Sequence, residues 1–129
     1  MVWVDIVALL AVAQLSWFAI LVGGARTRTK VMAPAITGHP EFERYFRVQM
    51  NTLELIPVLL VGLYAAAKYW SPTWAAGLGA VYLVGRFVYL AGYVKDPAKR
   101  GPGFGLSFGP ISVLVVGALV GIVRGLLHG

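Results

Sequence analysis

Almost unbroken apolar runs cover most of this chain: Val2 to Gly23, Phe46 to Ala67, Trp74 to Tyr93 and Phe104 to Val123. Each is long enough for a bilayer-spanning helix, which needs roughly 20 mostly apolar residues. The pattern predicts helices at about 2–23, 44–69, 73–94 and 104–127. Polar residues gather between them. "GARTRTKVMAPAITGHP", Gly24 to Pro40, reads as a structured loop, because Pro34, Gly38 and Pro40 punctuate it. Its length suggests that it covers something. "KYWSPTW" is short, so the second and third helices form an antiparallel pair, with Tyr69, Trp70 and Trp74 suited to an interfacial aromatic belt. "VKDPAKRGPGFG" reads as a bent loop with exposed backbone. Gly117, Gly121 and Gly125 make a small-residue face that another helix could approach.

The expected fold is therefore an all-α membrane protein, a four-transmembrane-helix bundle with residues 1–129 as one domain. Composition agrees: 59% of the 129 residues are hydrophobic and 12% charged. The formal charge of +6 is distributed by loop. Arg26, Arg28, Lys30, Arg44 and Arg47 surround the first connection and Lys95, Lys99 and Arg100 occupy the third, whereas the opposite side carries Asp5, Lys68 and Arg124. The positive-inside rule predicts cytoplasmic first and third connections, with both termini across the membrane. Basic residues grouped this way, without interleaved stacking aromatics, do not suggest a nucleic-acid partner. With no cysteine, the chain makes no disulfide or zinc thiolate of its own, and no metal is expected. The first apolar run carries Asp5 in place of a basic leader and exceeds the ~7 to 15 residues of a signal-peptide core, so it is expected to stay as a helix.

Inside these apolar segments, polar residues mark candidate chemistry, since an ionised group at the bilayer centre costs about 2.5 to 3.5 kcal/mol. At about 100° per residue, Arg47, Asn51 and Glu54 share one stripe of the second helix, and Gln49 points the opposite way. On the third helix Tyr82, Arg86, Tyr89 and Tyr93 share another. The two polar faces should meet. A buried Glu54–Arg86 ion pair stapling the helices would explain two charges and leave Arg47, Arg100 and the tyrosines without a purpose. Several arginines, one carboxylate, one amide and phenols suit a small zwitterion richer in carboxylates than in amines.

"EFERYFRVQMNTLELIP" and "VGRFVYLAGYVKDPAKRGPG" together resemble the second helix, third helix and following basic loop of the MAPEG family, the membrane-associated proteins in eicosanoid and glutathione metabolism. The resemblance runs from about Ala25 to Gly103 through the patterns R-x-x-x-N-x-x-E and G-R-x-x-Y-x-x-G-Y. It implies a homotrimer with sites between neighbouring subunits. It also implies glutathione as co-substrate, held by Arg47, Asn51, Glu54, Tyr89 and Tyr93, with Gln49 and Arg26 serving the site of an adjacent copy and Arg86 supporting. Arg100 matches the catalytic arginine of one enzymatic member, which the non-enzymatic activating member lacks. Leu55 departs from the tyrosine found after the glutamate in several members. The implied activity is a glutathione transferase that presents the thiolate to lipophilic electrophiles, or to lipid hydroperoxides as a glutathione peroxidase. Two rivals are a non-catalytic lipid-binding scaffold and a small proton-coupled multidrug transporter. Such transporters carry their membrane glutamate in the first helix, whereas Glu54 lies in the second.

Overall fold

The computed structural model describes residues 1–129 and contains four long helices: α1 (Val2–Thr29), α2 (Pro40–Tyr69), α3 (Pro72–Lys95) and α4 (Gly101–His128). All are long and apolar enough to cross a bilayer. A four-residue 3-10 turn, Pro97–Arg100, leads into α4. The helices α2 and α3 are central, each packing against every other helix, while α1 and α4 lie on opposite flanks.

The inward faces are distinguished by small size more than by hydrophobicity. Ala8, Ala11, Ala66, Ala67, Ala75 and Ala76 are buried with Leu59, Leu63 and Leu114, whereas Leu9, Val61 and Leu126 face outward. Without a hydrophobic driving force between helices in lipid, association comes from close van der Waals contact, which small side chains permit. At Gly103 an added Cβ would lie 2.3 Å from the Tyr89 backbone, and at Gly85 it would lie 2.6 Å from the Leu106 backbone. The α3–α4 contact is thus nearly backbone on backbone.

Local chemistry sets the ends. His39 caps α2 by accepting from the Glu41 N–H at 3.1 Å, Pro40 occupies the first turn, and Glu41 and Glu43 complement the helix dipole there. Ser71 and Pro72 open α3 in the same manner. Arg44 reaches from α2 to donate to the Val94 and Lys95 carbonyls, 3.1 Å each, satisfying groups left unpaired at the end of α3.

Two expectations change. First, α1 continues through Gly24–Thr29 and α2 begins at Pro40, so the first connection is confined to residues 30–39. Ala25 is fully buried against Val22, Val31 and Phe42, Thr27 and Thr29 bond back to Gly23 and Ala25, and Arg28 pairs with Glu41 at 2.9 Å, which together sustain helix in a polar stretch. Second, the third connection is exposed but is an ordered turn and not a loop: Asp96 accepts from the Ala98 N–H at 3.0 Å, caps the 3-10 turn, and α4 starts at Gly101. The small-residue face of α4 is approached from within the chain: Gly117 and Gly121 receive Trp74 of α3, Tyr69 of α2 and Trp70 between them, and Trp70 Nε1 donates to the Gly117 carbonyl. Gly125 alone of that trio stays open.

Candidate functional site

Around the basic end of the bundle, α2, α3 and the start of α4 enclose a cavity of about 320 Å³. Arg47, Asn51 and Glu54 enter it from α2 and Tyr89 and Tyr93 from α3, with Arg100 at the end of the 3-10 turn. Met50, Gly101 and Phe104 complete the lining. The tyrosine rings stack with centroids 5.5 Å apart. Arg47, Glu54 and Arg100 are solvent-exposed on the isolated chain, so their charges face the cavity or its mouth.

Behind this wall lies Arg86, with no exposed surface. Its Nε donates to Ser107 Oγ at 2.8 Å, and its Nη1 donates to Asn51 Oδ1 at 2.7 Å and to Thr52 Oγ1 at 3.2 Å. The guanidinium carbon sits 4.4 Å from the Tyr89 ring centroid and 5.8 Å from that of Tyr82. Ser107 in turn donates to the Gly103 carbonyl at 2.7 Å, and Thr52 to the Val48 carbonyl at 2.8 Å. One side chain thereby ties α2, α3 and α4 together beneath the cavity.

The Glu54–Arg86 ion pair is not formed. Arg28–Glu41 is the ion pair of the chain, and Arg86 takes neutral oxygens instead. The reason is helical geometry: Asn51 lies nearly one turn from Glu54, and it is the Asn51 carbonyl and the Thr52 hydroxyl that reach the depth of Arg86 from α2. Tyr82, on the expected tyrosine stripe, is buried in the core outside the cavity.

Two candidate residues are outside the cavity. Arg26 donates to the Ala35 carbonyl at 2.8 Å and the Val31 carbonyl at 3.4 Å, and its guanidinium lies 4.5 Å from the Phe42 ring centroid, so it organises the first connection. Gln49 is partly buried on another face of α2. Sequence reasoning missed Thr52, Ser107 and Phe104. A hydroxyl four residues after a glycine in an otherwise apolar segment was the available signal for Ser107. It also missed Gln14, whose Nε2 donates to the Leu83 carbonyl at 3.0 Å and links α1 to α3.

Comparison with known proteins places this architecture. The MAPEG family model matches residues 4–120. The chain belongs to the MAPEG family. Human microsomal glutathione S-transferase 2 is 42% identical over 121 residues, 94% of this chain and 82% of its own. An uncharacterised protein of Synechocystis is 45% identical over 123 residues, covering 95% of this chain and 90% of its own. Rat leukotriene C4 synthase is 34% identical over 123 residues, 95% and 82% respectively. As a MAPEG protein with four helices of membrane-spanning length, it is an integral, multi-pass membrane protein.

Proposed function

We propose that this protein is a glutathione transferase of the membrane, activating glutathione as its thiolate for attack on lipophilic electrophiles. The observation that carries the reading is the convergence of Arg47, Asn51, Glu54, Tyr89, Tyr93 and Arg100 on one cavity. Its charged groups, two guanidiniums and one carboxylate, mirror glutathione, which brings two carboxylates and one ammonium. The arginines suit carboxylates and the thiolate, Glu54 suits the ammonium, and the amide and phenols supply directional hydrogen bonds. Relatives named as glutathione S-transferase and leukotriene C4 synthase support the same reaction class.

Arg100 is the proposed catalytic residue. A free thiol has a pKa near 8.5, so little of it is thiolate at neutral pH. A guanidinium against the sulfur that lowers this by ~2 units contributes about 2.7 kcal/mol and makes the thiolate predominant. The second substrate reaches the cavity from the lipid along Phe104, which also stacks on Phe108 at 5.5 Å. If that substrate is a lipid hydroperoxide, the same thiolate attacks the peroxide oxygen, breaking the O–O bond, expelling the alcohol and giving a glutathione sulfenic acid, which a second glutathione converts to the disulfide as the S–O bond breaks and water leaves. In the proposed assembly, a homotrimer of one-domain subunits, Gln49 and Arg26 of an adjacent copy complete each site. The basic connections face the cytoplasm, where glutathione is made.

The test is titration calorimetry of the detergent-solubilised protein with glutathione, beside ultraviolet thiolate absorbance and conjugation to a chloronitrobenzene acceptor. Binding with a thiolate signal is expected, and Arg100→Ala should retain most of the binding while losing the signal and at least 90% of turnover, on the order of 1.4 kcal/mol or more of transition-state stabilisation. No heat at millimolar glutathione would sink the proposal. Binding of lipid with no thiolate signal would instead identify a scaffold.

A further inference from the structure

Asn51 has two chemically different ends, and its neighbour decides which of them faces the cavity. Arg86 carries only N–H donors. The Asn51 atom lying 2.7 Å from Arg86 Nη1 is therefore the carbonyl Oδ1, because the reverse rotamer would press an NH2 group against a buried guanidinium. Arg86 has little freedom to adapt. Ser107 and Thr52 hold it, both hydroxyls are spent on backbone carbonyls of their own helices, and the Tyr89 ring covers one face of the guanidinium. The other end of Asn51, Nδ2, makes no hydrogen bond within the protein, while the residue lines the cavity.

We propose that Arg86 is a positioning residue that locks the Asn51 amide so that it offers only N–H donors to the ligand. The proposal rests on the glutathione reading above and adds a polarity to it. Asn51 selects a carboxylate or carbonyl oxygen of the tripeptide and rejects an ammonium. Arg47 and Arg100 are donors as well, so Glu54 is the one anionic acceptor in the lining and takes the ammonium. Glutathione is thereby held in one direction along the α2 stripe, with its amino end toward Glu54.

The lock makes stability and affinity separable. Arg86 is buried without a carboxylate partner, so Asn51→Asp gives it a counter-ion while replacing the amide donors with an acceptor. The expected result is a Tm at or above that of the unsubstituted protein, together with at least tenfold weaker glutathione binding by calorimetry. A merely structural role for the pair would move both quantities in the same direction. A second measurement covers the case in which Asn51→Asp misfolds: Arg86→Lys should weaken glutathione binding severalfold in the unsubstituted background and leave it unchanged in the Asn51→Ala background, where no amide remains to be oriented. Undiminished glutathione affinity in Asn51→Asp, or an equal effect of Arg86→Lys in both backgrounds, overturns the lock. Failure of the unsubstituted protein to bind glutathione overturns the functional reading itself, a separate outcome.

Discussion

A guanidinium buried in an apolar bundle must recover what it loses on leaving water, and Arg86 recovers part of it from neutral partners, three hydrogen bonds and two aromatic faces, while its Nη2 has no partner within the chain. Because the oxygens it takes from α2 are those of Asn51 and Thr52, Glu54 remains unpaired at the cavity. That freedom is what makes Glu54 available to a ligand. Glu54→Gln is expected to leave Tm within experimental scatter, since the side chain is exposed and unbonded, yet to weaken glutathione binding about tenfold or more, the value of one charge-assisted hydrogen bond, ~1.5 to 3 kcal/mol. Calorimetry beside a melting curve checks both halves. At this scale the stripe Arg47–Asn51–Glu54 was legible because helical spacing alone puts it on one face. The pairing of Arg86 was not. Spacing gives direction around a helix axis, but the depth of a side chain depends on how closely the neighbouring helices approach.

Among the elements, the α3–α4 contact positions the reactive end. Gly103 lies three residues after Arg100 and rests on the backbone of Tyr89, so a methyl group there pushes apart the two walls that carry Arg100 and the tyrosines. Gly103→Ala should cost about 1 to 3 kcal/mol, as overpacking does, and should lower Tm and the thiolate signal together. Gly105→Ala is the matched control: an added Cβ there meets open space, and alanine is the better helix former by about 0.5 to 1 kcal/mol. Its Tm should hold or rise with activity intact. Helix existence was readable from hydropathy, whereas helix ends were misplaced because polarity marks where the chain leaves the membrane and not where the helix stops. The stretch Ala25–Thr29 is polar and still helical, held by the buried Ala25 and the Arg28–Glu41 pair. The glycine face of α4 is approached by other helices, through Trp74 of α3 and Tyr69 of α2. Small residues announce a close approach without naming the partner, and here Trp70 and Trp74 of the same chain fill the space.

For the whole molecule, the proposed trimer makes a prediction that a self-sufficient monomer does not. If Gln49 serves a neighbour's site, Gln49→Ala and Arg100→Ala variants, each impaired alone, should regain part of the conjugation activity when co-expressed, because some mixed sites then combine an intact Gln49 from one subunit with an intact Arg100 from another. Activity of co-purified mixtures no greater than that of the separate variants would exclude shared sites. The proposed orientation is checked by acceptor sites for glycosylation, expected to be modified near either terminus and never in residues 30–39. By itself, the sequence determined that there are four membrane helices, which end of them is basic, and which α2 residues share a stripe, since length, hydropathy and helical periodicity are local properties. Only the tertiary structure decided which apolar faces turn inward, that Asn51 and not Glu54 meets Arg86, and that Arg100 closes the cavity. In lipid both faces of a helix can be apolar, so the choice between them falls to small-residue packing and to the few buried hydrogen bonds, and both depend on distant parts of the chain coming together.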